Sequence, residues 1–194
     1  FDKGAEIIGY YDKVKKYANQ TGDIRRGIAV STFWYNTAVY PIALETSSCR
    51  IVMNQDGSVQ FQLGETEIGQ GADTAAAQMI ADTLGIPFDM VHPVSCQDTD
   101  VTPFGTGVYA SRGTYTLGFS IRQTALLLKE KVLEAAHQFT RMPVYNLDLI
   151  DGKIVRTTDG RELMTIGELA LSKLYTTDGS QHLSAESTYQ IKSN

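Results

Sequence analysis

Gly64-Glu65-Thr66-Glu67-Ile68-Gly69-Gln70-Gly71 is the stretch on which the reading of this chain turns. Upstream of it, Val59, Phe61 and Leu63 alternate with Ser58, Gln60 and Gln62, the period of a half-buried strand. Downstream, Ala72 to Leu84 has helical spacing, with Ala75, Met79, Ile80 and Leu84 predicted to face inward. A strand, a glycine turn and a helix start therefore follow one another. Such a turn leaves backbone N–H groups at the positive end of a helix, where an anion binds well. Glycines also let a ligand come close to the backbone. The plainer reading is a tight turn that only joins strand to helix.

The spacing Gly64-x-x-x-x-Gly69 opens like a phosphate-binding P-loop, but that motif next needs Lys and then Ser or Thr. Gln70 and Gly71 stand there instead, which speaks against nucleoside triphosphate hydrolysis. Gln70 is a neutral donor and acceptor, suited to a heteroatom-rich neutral or weakly anionic partner.

The rest of the chain supplies a scaffold. Residues 3–19 carry Ile7, Ile8, Tyr11, Val14 and Tyr17 at helical spacing, with Lys13, Lys15 and Lys16 outward. Gly27 to Trp34 is rich in β-formers. Ala43 to Met53 is expected to be a strand, returning through Asp56-Gly57 into residues 59–63 as a hairpin. Gly85 is placed for a helix C-cap and Pro87 for a stop. Phe88 to Ser95 is expected to be a short strand, and Asp98 to Tyr109 an ordered loop. The longest helix is predicted over Arg112 to Phe139, with Leu117, Ile121, Ala125, Leu128, Val132, Ala136 and Phe139 on its apolar face. Tyr145 to Ile150, Asp151-Gly152 and Ile154 to Arg156 read as a second hairpin. Thr165 and Glu168 form a capping box, and Leu183 to Ile191 reads as a last strand. Strands in hairpins with helices between them predict an α+β fold of two layers with a mixed or antiparallel sheet, residues 1–194 forming one domain.

Composition narrows the partners. A net charge of −5 and a pI near 5.2 argue against nucleic acid and anionic membranes. Neither a membrane span nor a signal peptide is read in the sequence. Cys49 and Cys96 fit buried free thiols in a reducing, cytoplasmic setting. Phe1 opens the chain, which is expected to be a piece of something longer.

Self-contained catalytic patterns are poor. His92, His137 and His182 lie far apart, none at metal-ligand spacing, so no metal ligand and no catalytic residue is assigned. Glu65 with Glu67, and Asp98 with Asp100, could do acid–base work if buried, but read more simply as solvated turn carboxylates. A second anion nest is visible where Gly105-Thr106-Gly107 leads into Ala110-Ser111-Arg112-Gly113-Thr114 at the start of the longest helix. Arg112 has an alternative use, bracing the preceding loop through Asp98 or Asp100.

Taken together, Gly64 to Gly71, Thr74, Gln78, Leu84-Gly85-Ile86-Pro87, Asp98-Thr99, Pro103, Ala110-Ser111-Arg112 and Gly118 resemble the molybdopterin-binding subunit of the xanthine dehydrogenase and aldehyde oxidase family. Gln97 to Phe104 and Leu183 to Ser187 fit the bacterial xanthine dehydrogenase group within it. The resemblance spans nearly the whole chain. It implies that Gly69, Gln70 and Gly71 border the molybdenum and the pterin dithiolene. It also implies that Ala110, Ser111, Arg112, Gly113 and Thr114 run along the pterin and its phosphate. The implied cofactor is molybdenum–molybdopterin, with a cytosine dinucleotide form as one variant. An iron–sulfur subunit, an FAD-binding subunit, the remaining lobe of the molybdenum subunit and a purine or related N-heterocyclic substrate are the implied partners. The family's upstream Arg-Gly-x-Gly-type segment and downstream catalytic Gly-Glu segment are not found in this sequence, so the chain by itself is expected to be inactive. Two other classes stay open: a non-catalytic assembly module with an acidic docking surface, and a stand-alone phosphate- or nucleotide-binding domain.

Overall fold

The computed structural model describes residues 1–39, 41, 45–176 and 179–191. Two compact units are present, Phe1–Tyr35 and Asn36–Asn194.

In the first unit the helix expected over residues 3–19 is two helices, α1 (Asp2–Ile7) and α2 (Tyr10–Tyr17). Gly9 separates them at φ 62°, a left-handed backbone that ends a right-handed helix. Lys13, Lys15 and Lys16 are exposed as expected, but so are Ile7, Tyr11 and Val14. Gly27 to Trp34 forms no strand, and Phe33 and Trp34 are exposed. β-forming residues need a paired neighbour to become a strand, and among the described residues none pairs with this run.

The second unit is built on β1 (Thr46–Met53), β2 (Val59–Leu63), β3 (Val91–Pro93) and β7 (Ser184–Gln190), ordered β3-β2-β1-β7. β1 pairs antiparallel with β2 (Ile51 opposite Phe61) and with β7 (Ile51 opposite Ala185), while β3 joins β2 in parallel. The sheet is therefore mixed. β1 begins at Thr46; residues 43 and 44 of the expected strand lie outside the described residues. The strand expected over 88–95 is shorter, because a 3₁₀ turn occupies Phe88–Met90 before β3.

Helix α3 (Ala72–Leu84) ends at Gly85 with φ 85°, as its C-cap position predicts. Its buried face is Ala76, Ala77, Ile80, Ala81 and Leu84, so the expected inward set is rotated: Ala75 and Met79 are only half-buried. The longest helix begins with a π turn, Gly113–Leu117, and continues as α4 (Gly118–Thr140). Leu117, Ile121, Ala125, Leu128, Val132 and Ala136 are all buried in the core with Ile51 and Phe61. Phe139 is 40% exposed and leaves the predicted stripe, because the last turn runs past the edge of the core. Thr124 ties α4 to the sheet, its Oγ1 3.2 Å from the Cys49 carbonyl and 2.6 Å from Ser187 Oγ.

The predicted hairpin is β4 (Leu147–Ile150) and β5 (Lys153–Arg156); an unpredicted third strand, β6 (Glu162–Thr165), completes an antiparallel sheet. The Thr165–Glu168 capping box opens α5 (Ile166–Leu174) as expected.

Candidate functional site

The site begins where β2 leaves the sheet. At Gly64 the ladder changes partner: Gly64 N–H still donates to the Ser48 carbonyl, but Gly105 takes the bridge to Ser47. The two glycines lie backbone against backbone. A Cβ on Gly64 would stand 2.4 Å from the Phe104 carbonyl oxygen, and one on Gly105 2.0 Å from that of Gly64. Only glycine fits at either place, and this contact brings the 105–114 stretch beside the 64–71 turn.

The inward alternation of β2, at 59, 61 and 63, continues to Glu65. On β1 the inward set Met53, Ile51 and Cys49 continues to Ser47 and then to Glu45. Glu45, Ser47 and Glu65 are therefore buried, at 2% exposure or less, and Arg112 is fully buried among them. Arg112 Nε donates to Glu45, and Nη1 donates to Glu65 and to the Gly107 carbonyl at 2.7 Å. Its Nη2 donates to the Thr46 carbonyl at 2.8 Å. Its carbon also lies 5.3 Å from the centre of the Tyr109 ring. Arg112 thus braces the loop through Glu45 and Glu65 rather than through Asp98 or Asp100, and Glu65 is not a solvated turn carboxylate. Burial pushes the Glu65 carboxyl above the ordinary carboxylate range, against the opposing pull of Arg112.

Glu67 takes a different path. Its Oε1 accepts from the N–H groups of Gly69 (2.7 Å) and Gly71 (3.1 Å), and its Oε2 from Asp73 (3.1 Å). These amides hold its carboxyl below the ordinary range, Asp73 contributing most. The positive end of α3, expected to be free for an outside anion, is already filled by a carboxylate of the same turn. Gln70 also folds back, its Oε1 accepting from Ile68 N–H at 2.7 Å and its Nε2 donating to the Thr66 carbonyl at 3.3 Å. Around Gly69 and Gly71 nothing lies within 4 Å of where a Cβ would stand, so that side of the turn is bare.

The start of the long helix is open by contrast. Ala110 and Ser111 sit at φ 47° and 49°, followed by Arg112 in the right-handed region, an alternation that turns successive N–H groups to one side. Ala110 is buried and its carbonyl accepts from Ala38 N–H at 2.7 Å; Ser111 is exposed. No side chain caps this start, and Gly113 and Thr114 occupy the first turn, where N–H groups lack intrahelical acceptors. Beside it opens a cavity of about 340 Å³, lined by Thr114, Tyr115, Phe119 and Arg122 on one wall and Asp82 and Thr83 of α3 on the other.

Two free thiols differ. Cys49 is buried, and burial pushes it up to about 12; Cys96 is exposed, contrary to expectation. Among the described residues no group of His, Cys, Asp or Glu could hold a metal ion, and no helix is long and apolar enough to cross a membrane.

A carboxylate-clamped pair of glycine-rich segments, one bare and one with open amides, is a cradle built largely from backbone. The chain belongs to the molybdopterin cofactor-binding domain family, whose match covers residues 3–194. It is 41% identical over its whole length to the putative xanthine dehydrogenase molybdenum-binding subunit XdhA of Escherichia coli (strain K12), covering 26% of that protein. Against the carbon monoxide dehydrogenase large chain of Afipia carboxidovorans it is 32% identical over 70% of its length, covering 18% of that protein. The chain thus spans about a quarter or less of these relatives. Among solved structures, reconstituted CO dehydrogenase from Oligotropha carboxidovorans superposes on 75% of the chain with a TM-score of 0.67 at 28% identity, covering 18% of that chain. Quinoline 2-oxidoreductase from Pseudomonas putida 86 shares the fold at the same TM-score over 75% of this chain and 19% of its own, at 24% identity. The chain is therefore a molybdopterin cofactor-binding domain, and the relatives it matches are named as dehydrogenases and an oxidoreductase.

Proposed function

We propose that Gly69-Gln70-Gly71 and Ala110-Ser111-Arg112-Gly113-Thr114 hold one molybdenum–molybdopterin cofactor between them, as part of a xanthine dehydrogenase-like hydroxylase of purines or related N-heterocycles. The observation that carries this reading is the Glu65–Arg112 contact, which fastens the root of the first segment to the second. The bare side of Gly69 and Gly71 accepts a flat group at close range. Because Glu67 already neutralises the start of α3, the anionic end of a cofactor belongs at the other segment, on the Gly113 and Thr114 amides. Ser111 and Thr114 hydroxyls add donors there. Arg112 acts from beneath, by positioning the segment, since its guanidinium is already engaged. Gln70 reaches the dithiolene side once its two bonds within the turn are released.

When bound, the metal and pterin supply the redox chemistry; the residues named bind and orient. The cavity beside Thr114 is where a dinucleotide form would extend. A substrate base, iron–sulfur clusters and FAD come from the rest of the subunit and from partner subunits, and the cytoplasm is the expected compartment. On this reading the 194-residue chain by itself neither oxidises xanthine nor retains molybdenum. Metal and pterin analysis tests both halves. The full-length protein is expected to contain molybdenum and pterin at stoichiometric levels, with less of both in Gln70→Ala. A full-length protein free of pterin would overturn the reading. Stoichiometric molybdenum and turnover in the 194-residue chain would overturn the requirement for further lobes.

A further inference from the structure

The buried cluster under the two segments does not balance as ordinarily charged. Arg112 brings one positive charge, and Glu45 and Glu65 bring two carboxyl groups, all at 2% exposure or less. Its bonds are also incomplete. Both Glu45 oxygens have a partner, Oε2 on Arg112 and Oε1 accepting from Val39 N–H at 2.8 Å. Glu65 Oε1 is taken by Arg112, but among the described residues Glu65 Oε2 and Ser47 Oγ, both buried, have no partner in good hydrogen-bond geometry. Ser47 is the hydroxyl facing that carboxyl. Two neutral groups also stand at the cluster among the described residues: Gln97, whose Nε2 lies 3.4 Å from the Glu65 carbonyl, and Tyr109 against the guanidinium.

We propose that Glu65 is a proton-holding positioning residue: it is a neutral acid in the folded protein, its proton on Oε2 and donated to Ser47 Oγ. One proton settles both irregularities. The cluster becomes a neutral set of one guanidinium, one carboxylate and one carboxylic acid, and both orphaned oxygens gain a partner. A bridging water, or the Ser47 hydroxyl donating its own proton to an ionised Glu65, would satisfy the oxygens but leave a net negative charge sealed from solvent, which is costly, so the charge balance decides for the acid. Glu65 Oε2 lies 3.5 Å from where a Cβ of Gly113 would stand, beside a residue whose amide is assigned to an anion. A neutral Glu65 removes the repulsion an ionised carboxylate would exert there. That last consequence rests on the proposed cofactor reading; the protonation itself does not.

Infrared difference spectroscopy of the full-length protein at neutral pH, wild type minus Glu65→Gln, reads the proton directly. The expected result is a carbonyl stretch of a neutral carboxylic acid above the amide band, shifted down in heavy water and lost in the variant. Because glutamine can accept from Arg112 and donate to Ser47 in the same places, E65Q is expected to fold and melt within about 2–3 °C of wild type. The double variant E45Q/E65Q leaves Arg112 without a counter-charge and is expected to lose roughly 6–20 °C, or not to fold. Absence of the acid band in folded wild type overturns the proposal, as does an E65Q that fails to fold or melts as low as the double variant. Loss of anion or pterin binding with the band intact would instead count against the cofactor reading.

Discussion

Two helices start within this site, and they treat their exposed amides in opposite ways. At α3 the chain supplies its own anion, Glu67, to Gly69, Gly71 and Asp73. At the π turn opening into α4 no side chain caps, and the residues that could have done so are either pointed outward, as Ser111, or drawn beneath, as Arg112. Both follow a glycine-rich segment and both read as anion sites in sequence. Their hydrogen bonds separate them: the α3 start is capped from within by Glu67, while the start of the long helix carries no side-chain cap and is the one proposed above to take the anionic end of a cofactor.

That contrast depends on the clamp beneath it, so the largest effect should come from removing Arg112. Arg112→Met leaves the buried Glu45 carboxylate without a counter-charge and Glu65 without its donor, and should cost about 3–5 kcal/mol in chemical denaturation. A change below 1 kcal/mol would mean that the two segments hold together without it. Next is the common platform. Leu128→Ala, in the fully buried face of α4, should cost about 2–5 kcal/mol, and a near-neutral result would contradict the packing of α4 across the sheet.

Smaller changes act on the α3 start alone. Glu67 has a carboxyl held below its ordinary range, so its contribution is present at neutral pH and fades as pH falls through that lowered value. Glu67→Gln should therefore lower the melting temperature by a few degrees at neutral pH, with wild type and variant converging in acid. A gap independent of pH would show that the cap is not ionic. Smallest is Gln70→Ala: an exposed amide bonded only within its turn should change stability by no more than about 0.5 kcal/mol.

How much of this was legible in the sequence follows from which force decided each element. The α4 stripe and the β2 alternation were plain because burial alone sets them, and Gly85 because a C-cap demands a left-handed backbone. Gly27 to Trp34 misled because strand propensity says nothing about whether a partner exists. The break at Gly9 was missed because periodicity runs through a glycine unnoticed. Glu65 was misread because carboxylates near glycines usually face water. Yet its parity with Val59, Phe61 and Leu63 carried the signal, and so did that of Glu45 and Ser47 with Cys49 and Ile51. The exchange of Gly105 for the β2 strand at Ser47 had no local signal, since it is a backbone contact between residues 47 and 105, far apart in the chain.

The contrast between the two helix starts is tested most directly by a crystal structure of the cofactor-loaded full-length protein, read for the position of the pterin phosphate. The phosphate should lie against the Gly113 and Thr114 amides, with the pterin reaching the bare side of Gly69 to Gly71 and Glu67 still capping α3. A phosphate seated on the α3 amides with Glu67 displaced, or a cofactor touching neither segment, would contradict it.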